Sequence, residues 1–415
     1  MAPKFDANEK SGAQEESGTV SPGDALNIIT PCTKHKYERV ACACPRQWLY
    51  LLGDEGVVYS ETRRRVAGLD AAGVSAYRAF DSGAGIEDLR LAGKGHGPDA
   101  ASGAALNAIH TLTQGIFPDD ESEDGSRADW PDHDSSISVQ SESANIEIHG
   151  IPISVVYPPG PWEETCRDCF RNCAASDKAA RWRLSARLAG NVWGIYINDR
   201  KVSTVQYEQQ LGLGLMHAAR SLLYAEGKYD VAFHAAMVAS VHCGVMFCAP
   251  REYGKSTLAA YLVTQGFDLV ADEPALLDLD TSFIASLRMP ICLKEGSWRN
   301  LLQHWPQLAN APVHIRSDGT RIRMAHLSNQ KCSPRSRPLT HIVFPCYALS
   351  SSAEVELLSP LRALGLLTEG GMLLAKQFAL EDFEAFLELL RRTPAYRLQY
   401  ASLGEAHRML YEIGC

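Results

Sequence analysis

The sequence contains no apolar run long enough to cross a membrane and no long basic tract. A transmembrane helix needs about 20 consecutive apolar residues. A net charge of -9 disfavours nucleic acid, whose phosphates attract basic surfaces. Residues 1–31 also lack the apolar centre of a secretion signal. We therefore expect a cytoplasmic protein that binds neither membrane nor nucleic acid.

The twelve cysteines are scattered, and no internal repeat is present. A cytosolic protein would keep such thiols reduced. Cys166, Cys169 and Cys173 have a spacing that invites a metal interpretation, but the same spacing marks one face of a helix. Because no fourth ligand is evident nearby, buried thiols are favoured and a metal or cluster site is the alternative.

At 415 residues, with 46% apolar and 21% charged residues, the chain has an ordinary globular composition and room for two or three domains. Residues 118–144 are rich in Asp, Glu, Ser and Gly, which predicts an acidic linker. An inert spacer is favoured, and a regulatory or partner-binding role is the alternative. The linker separates a small domain at 34–117 from a larger one at 145–415, and residues 1–33 are predicted to be a disordered tail.

The small domain shows short apolar runs followed by helical patterns. Strands are predicted at residues 47–52, 57–60 and 65–69, and helices from Asp70 through Phe80, at 85–91 and at 101–115. This order predicts a small α+β winged-helix module.

The larger domain opens with alternating strands and helices. A hairpin is predicted at residues 145–157, strands at 183–188 and 193–197, and helices at 162–172, 211–225 and 380–390.

A phosphate-binding loop is predicted between two strands of this domain. Val245–Cys248 indicates a buried strand, residues 256–263 a helix that Gly266 ends, and residues 267–271 a second strand. The loop itself consists of Ala249, Pro250, Arg251, Glu252, Tyr253, Gly254, Lys255, Ser256 and Thr257. In such a loop backbone N–H groups surround phosphate, the Lys reaches the outer phosphates and the Ser or Thr hydroxyl binds Mg²⁺.

The loop departs from the usual pattern at two positions. Ala249 replaces the first glycine of G-x-x-x-x-G-K-[ST], and Glu252 places a carboxylate where it would repel phosphate. A strand-turn-helix that contains Gly-Lys-Ser by chance is the alternative.

An acid pair and a histidine accompany the loop. His234 lies fifteen residues before Ala249, and Asp272-Glu273 begins twenty-three residues after it. Phosphoryl transfer needs positioned charges and a carboxylate aligned on the nucleophile, so this spacing indicates that chemistry. A solvated turn for the acid pair and a structural buried histidine are the alternatives.

These residues resemble the HPr kinase/phosphorylase family and its relatives in peptide-biosynthesis clusters. The resemblance extends over roughly 146–415 and lies in Phe233–Val238, the loop, Ala271–Glu273, Arg288–Lys294 and Ile342–Pro345. It implies an α/β P-loop kinase domain of the HPr kinase type, with the P-loop at 249–257. The HPr-binding signature of that family is not evident, so HPr itself is not the expected substrate.

The resemblance also implies residue roles and cofactors. Asp272 would be the general base, tuned by a nearby His234, and Lys255 would bind the β- and γ-phosphates of ATP. Mg²⁺ would be held by Ser256, Glu273 and Asp272. Arg288 and Lys294 would contact the acceptor. The family further suggests a homo-oligomer, unless the added N-terminal domain blocks that assembly.

The small domain resembles the PqqD-like domain, which binds the leaders of ribosomally made peptides such as lasso peptides. The similarity lies in Val57–Glu61, Val66–Asp70 and Gly83–Leu89. It implies that a peptide adds as a strand along residues 47–52 or 57–60, with contacts to Val57 and Tyr59. An unrelated α+β domain is the alternative.

The favoured hypothesis is an ATP-dependent kinase that phosphorylates a Ser or Thr hydroxyl of a precursor peptide tethered by its leader. A nucleotide-binding pseudokinase scaffold and a small-molecule kinase, for example of free serine, are the alternatives. The first hypothesis predicts that Asp272→Asn abolishes transfer and leaves ATP binding intact.

Overall fold

The computed structural model describes residues 37–42, 46–82, 143–327, 332–333, 335–348 and 353–415. The described residues all belong to one compact unit, Pro31–Cys415. The predicted tail, the predicted helices at 85–91 and 101–115, and residues 118–142 of the acidic linker lie outside the described residues. The domain boundaries therefore stay a prediction.

The first sheet is antiparallel, with its strands in sequence order. It consists of β1 (Glu38–Ala41), β2 (Gln47–Leu52), β3 (Glu55–Ser60) and β4 (Arg65–Leu69), and helix α1 (Ala71–Asp81) follows. Asp70 caps α1, since its Oδ1 accepts a hydrogen bond from the Gly73 N–H at 2.7 Å. The predicted hairpin, third strand and capped helix are confirmed. Sequence reasoning missed β1, whose four mostly exposed residues show no apolar alternation.

The second region forms a six-stranded sheet with the order β10-β9-β8-β6-β5-β7. Its elements are β5 (Ser143–Ile148), β6 (Ile151–Val156), α2 (Glu163–Asp168), β7 (Ala174–Ala175), β8 (Trp182–Ala189), β9 (Val192–Ile197), β10 (Arg200–Val205), a 3₁₀ turn (Glu208–Gln210) and α3 (Leu211–Glu226). The predicted hairpin, strands and long helix are confirmed, whereas the helix predicted at 162–172 is shorter. Helix α3 buries Leu211, Leu215, Ala218 and Leu222, the periodic face that covers the sheet.

The next elements surround the predicted loop. They are β11 (Val231–Phe233), β12 (Ala235–Ala239), β13 (Gly244–Cys248), α4 (Lys255–Thr264), β14 (Asp268–Asp272), β15 (Ala275–Asp278), β16 (Phe283–Ile284), β17 (Ile291–Lys294), α5 (Glu295–Leu301), a 3₁₀ turn (Pro306–Asn310), β18 (Val313–Ile315) and β19 (Arg321–Ala325). The strand, helix and second strand predicted on either side of the loop are confirmed.

The C-terminal part completes the remaining sheets. It contains β20 (Arg337–Pro338), β21 (His341–Tyr347), β22 (Glu354–Leu358), α6 (Pro360–Glu369), β23 (Met372–Leu374), α7 (Leu380–Arg392), β24 (Ala395–Tyr400) and α8 (Leu403–Glu412). A three-stranded sheet has the order β17-β19-β18, and a five-stranded one has the order β20-β16-β15-β11-β23. The fold is thus mixed α/β with several sheets. None of the helices in the described ranges is long and apolar enough to cross a membrane.

A central six-stranded sheet positions the loop, with the order β14-β12-β13-β21-β24-β22. Strands β13, β21 and β24 are parallel, and β12 is antiparallel to both β13 and β14. The carboxyl ends of β14, β13, β21 and β24 therefore meet at one edge. Along β12, Met237 packs into one buried cluster and Val238 into another, so the sheet is covered on both faces.

The first sheet packs against α6 and α7. The Tyr59 ring stacks on Phe383 with 4.3 Å between centroids, and Arg39 pairs with Glu384 at 2.5 Å. A Cβ on Gly68 would lie 3.0 Å from the Gly365 Cα, so the two chains approach closely there. This sheet is therefore anchored to the segment that runs from α6 through β23 to α7.

This packing corrects the predicted peptide contacts. Strands β2 and β3 are interior strands, paired on both sides, whereas an added strand needs an unpaired edge. The Val57 and Tyr59 side chains are fully buried. Addition along residues 47–52 or 57–60 is thus excluded, and β1 and β4 are the outer strands of this sheet.

A buried ionic cluster ties α2 to the three-stranded sheet. The Asp168 carboxylate contacts the Nε2 atoms of His314 at 3.2 Å and His326 at 2.7 Å, and its side chain is 1% exposed. Cys166 and Cys169 are buried beside it, and burial raises the pKa of the Cys166 thiol to about 12. Burial alone would raise the pKa of Asp168, but hydrogen bonds from the two histidines lower it from 3.8 to about 2.

This cluster predicts a specific acid sensitivity. Between pH 4 and pH 2 the unfolded chain binds a proton at Asp168 that the folded chain does not, so stability falls as the pH drops through this window. The shift corresponds to a loss of roughly 2 kcal/mol in the free energy of unfolding. Urea titrations at several pH values should show a smaller acid loss for Asp168→Asn than for the wild type. The exposed control Asp199→Asn should keep the full loss, and equal losses in both variants would contradict the assignment.

Candidate functional site

The predicted phosphate loop leads from the end of β13 into α4. Gly254 has φ 89°, and a Cβ there would lie 3.0 Å from the Tyr400 hydroxyl, so this position requires glycine. Ala249 has no positive φ, so replacing the usual first glycine by alanine causes no backbone strain. Glu252 has φ 75°, in the left-handed region, which costs a non-glycine residue about 1–2 kcal/mol. The loop thus keeps a glycine-like conformation at a position that lacks glycine.

The Lys255 ammonium lies against the loop. Its Nζ donates to the carbonyl oxygens of Ala249 at 2.6 Å and Pro250 at 3.1 Å. Burial lowers the pKa of Lys255. The side chain therefore points along the loop, where phosphate oxygens would compete for its protons.

Asp272, the last residue of β14, is buried behind the loop. Its Oδ1 accepts from the Ser256 hydroxyl at 2.8 Å, and its Oδ2 accepts from the Cys292 N–H at 3.0 Å. Burial raises the pKa of Asp272, and the neighbouring Glu273 adds to the rise. Both of its donors, Ser256 and Cys292, line the cavity described below, and Asp272 lies behind them.

Glu273 forms a separate pair with His234. Its Oε1 lies 2.9 Å from the His234 Nδ1, and both side chains line the cavity. The backbone N–H of His234 donates to the Gly371 carbonyl at 2.8 Å, which fixes the histidine between β11 and β12. Burial alone would raise the pKa of Glu273, but the His234 hydrogen bond and the Arg220 charge lower it to about 2.

The structure adds a partner for the predicted histidine. His234 was expected near Asp272, and its hydrogen-bond partner is the adjacent Glu273. Asp272 is the last residue of β14 and faces Ser256, whereas Glu273 lies just beyond the strand with φ 46° and faces the histidine. The roles predicted for Asp272 and Glu273 remain predictions, and the contacts pair Asp272 with Ser256 and Glu273 with His234.

Arg220 is a site residue that sequence reasoning missed. It lies on α3, where its Nη2 approaches the Cys292 Sγ at 3.8 Å, and its charge acts on both Asp272 and Glu273. In the sequence, Arg220 is a single arginine among apolar residues that the helix buries: Ala218, Ala219, Leu222 and Leu223. A charged group on a buried helix face needs a partner, and this pattern could have identified Arg220 as a site residue.

A cavity of about 550 Å³ opens over the loop. Its wall includes Arg251, Glu252, Gly254, Lys255, Ser256, Thr257, His234, Glu273, Cys292, Lys294, Glu295, Gly296, Ser297, Asn300, Arg316, Gly319, Thr320, Arg321, Tyr347, Tyr400 and Leu403. The structure thus brings the loop, the acid–histidine pair and Lys294 to one cavity. Arg288 is not part of this wall, and its charge instead acts on Cys173 and Cys332. Arg316 and Asn300 were not singled out as site residues in the sequence.

Ser256 and Asp272 fit a magnesium ion that arrives with phosphate. Mg²⁺ usually takes one or two carboxylates together with phosphate oxygens, and the Ser256 Oγ and Asp272 Oδ1 are adjacent, at 2.8 Å. Across the described ranges, no group of three or more His, Cys, Asp or Glu residues has the geometry to hold a metal ion alone. The fit therefore depends on phosphate ligands.

The Glu252 carboxylate is paired rather than free. Its Oε1 lies 3.0 Å from the Lys294 Nζ, with side chains 78% and 34% exposed. The pair reduces the repulsion that a glutamate in this loop would exert on phosphate.

Lys294→Met is therefore expected to weaken Mg·ATP binding roughly fivefold, the effect of an exposed ion pair worth up to about 1 kcal/mol. Calorimetric titration measures this affinity directly. The double variant Glu252→Gln/Lys294→Met should bind within about twofold of the wild type, because the unpaired charge is gone. If the single and double variants bind equally, Glu252 does not oppose phosphate.

Comparison with solved structures gives a similarity of low score. The HPr(Ser) kinase/phosphatase from Coxiella burnetii matches with a TM-score of 0.21 and 12% identity, over 44% of this chain and 98% of that chain. No protein-family model and no curated protein matches the chain. The chain is thus weakly similar to that structure over less than half of its length.

Proposed function

We propose that this protein transfers the γ-phosphoryl group of a nucleoside triphosphate to a hydroxyl acceptor. The proposal is carried by one observation: the Glu273–His234 pair faces the cavity beside the loop, while Asp272 bonds Ser256 behind it. A site for phosphoryl transfer needs both a charge-neutralising side and a group that receives a proton. The Ser256–Asp272 pair belongs to the charge-neutralising side, and the Glu273–His234 pair receives the proton.

The loop and the Ser256–Asp272 pair bind the triphosphate. Backbone N–H groups of the loop and the Lys255 ammonium hold the β- and γ-phosphates. Ser256 and Asp272 would hold Mg²⁺, and the charge on the phosphate oxygens is neutralised when the ion is bound.

The Glu273–His234 pair receives the proton of the acceptor. A carboxylate with a pKa of about 2 is a weak base, so Glu273 stays ionised and orients the imidazole, as the acid does in a catalytic triad. His234 accepts the hydroxyl proton, and the acceptor oxygen forms a bond to the γ-phosphorus. The bond from that phosphorus to the bridging oxygen breaks, and the nucleoside diphosphate leaves with the electron pair.

For the acceptor we propose a Ser or Thr hydroxyl of a peptide. The support is the β1–β4 sheet, which packs on α6 and α7, because its outer strand β1 offers a backbone edge for a leader segment. Tethering the leader there would raise the concentration of the acceptor at the cavity.

Labelled ATP tests the proposal. The full chain is incubated with Mg²⁺, γ-labelled ATP and a peptide library that contains one Ser or Thr per member. Label in peptides is the expected result. Label in free serine, supplied in a parallel reaction, would instead identify a small-molecule kinase.

A nucleotide-binding scaffold is the second candidate. It is favoured by the hydrogen bonds from Lys255 to the carbonyls of its own loop and by the left-handed Glu252. Such a scaffold would show ATP-dependent thermal stabilisation but no label in any acceptor.

A further inference from the structure

The central sheet gives the cavity two chemically different sides. The loop follows β13, in the middle of the strand order β14-β12-β13-β21-β24. On one side β14 ends at Asp272, next to Glu273. On the other side the parallel strands β21 and β24 end at Tyr347 and Tyr400. Neighbouring strands are about 4.8 Å apart, so the two tyrosines lie roughly one and two strand spacings from the loop strand.

The tyrosine side forms an aromatic wall directly beside the loop. Tyr347 lines the cavity with 43% of its surface exposed, and its ring centroid lies 5.7 Å from that of Tyr400. If Gly254 carried a Cβ, that atom would lie 4.0 Å from the Tyr347 Cβ and 3.0 Å from the Tyr400 hydroxyl. Both tyrosines therefore lie against the loop. Leu403, at the start of α8, lines the same side. An exposed ring within a polar cavity offers a flat surface for stacking.

The other side of the cavity is charged. Glu273 lies there with Arg316, whose positive charge acts on the Glu273 carboxylate. This side suits the reacting phosphate and the acceptor, and the two tyrosines that line the cavity lie on the opposite side. A nucleotide whose γ-phosphate faces Glu273 and whose phosphates lie on the loop would extend its other end towards Tyr347.

We propose that Tyr347 is the platform on which the nucleobase stacks, with Tyr400 and Leu403 completing the base site. This inference rests on the proposed function and assigns the orientation of the nucleotide within the same cavity. Stacking of a base on an aromatic ring is worth about 1–3 kcal/mol by alanine substitution. Removal of the Tyr347 ring should therefore weaken nucleotide binding by about 5- to 150-fold.

Tripolyphosphate has the phosphate chain of a nucleotide but no base, so its binding tests the loop independently of the base site. Calorimetry compares ADP with tripolyphosphate, both with Mg²⁺, on the full chain, on Tyr347→Ala, on Tyr347→Phe and on the exposed control Tyr411→Ala. Tyr347→Ala should lose at least fivefold in ADP affinity and less than twofold in tripolyphosphate affinity. Tyr347→Phe keeps the ring and should bind ADP within about twofold of the wild type, as should Tyr411→Ala.

Two outcomes overturn the platform alone: unchanged ADP affinity in Tyr347→Ala, or an equal loss for ADP and tripolyphosphate. In the second case the substitution has disturbed the loop rather than a base site. A wild-type chain that binds neither ligand overturns the proposed function together with this inference.

Discussion

His234→Gln is expected to lower the rate of phosphoryl transfer by about 10²–10⁴-fold, the usual contribution of general acid–base catalysis. Gln keeps a polar group near Glu273 but cannot accept the acceptor proton at neutral pH. The affinity for Mg·ATP should change less than about threefold, because neither the loop nor the Ser256–Asp272 pair is altered. Single-turnover transfer from labelled ATP, with calorimetry for binding, separates the two quantities.

The split between the two quantities gives this prediction a readout that a structural role would not produce, because the transfer rate falls while the affinity for Mg·ATP is kept. Glu273 contributes no fall of the rate above about pH 4, since its pKa is lowered to about 2. The exposed His242 supplies the control, and His242→Gln should retain both the rate and the affinity. A His234→Gln variant with wild-type kinetics would show that the base is another group.

Much of the fold could be predicted because its signals are local. The apolar run before the loop, the helix after it, and Asp70 at the start of α1 all act within a few residues. The same holds for the hairpin of β2 and β3, where apolar residues lie on both sides of a Gly-Asp turn. These elements appear in the structure with bounds close to those predicted.

The parts that could not be predicted depend on long-range pairing. The packing of the first sheet against α6 and α7 buries Val57 and Tyr59, and the strand order leaves β3 without a free edge for a peptide. Arg220 reaches the site through its contact with Cys292 of β17, a relation between residues 72 positions apart. The sequence spacing of His234 and the acid pair predicted that these residues lie close together. Which of the two carboxylates bonds the histidine depends on how β12 pairs with β14, and the spacing does not give that register.

Asp272→Asn is expected to raise the Mg²⁺ concentration needed for half-maximal transfer by about 10- to 100-fold, the usual cost of altering a group that supports a metal. The amide oxygen can still accept from the Cys292 N–H while the NH₂ donates to the Ser256 Oγ, so the substitution removes the negative charge and keeps both hydrogen-bond partners. Magnesium titration of the transfer rate measures the effect.

The control lies on the same strand. Asp268, at the other end of β14, pairs with Arg337 at 3.3 Å outside the cavity, so Asp268→Asn tests the same chemical change away from the loop. It should leave the magnesium dependence unchanged. If Asp272 were instead the base, Asp272→Asn would reduce the rate equally at all magnesium concentrations, and saturating Mg²⁺ would restore nothing. Recovery of transfer at high Mg²⁺ therefore distinguishes a metal-holding Asp272 from a proton-accepting one, and it does so independently of the result for His234.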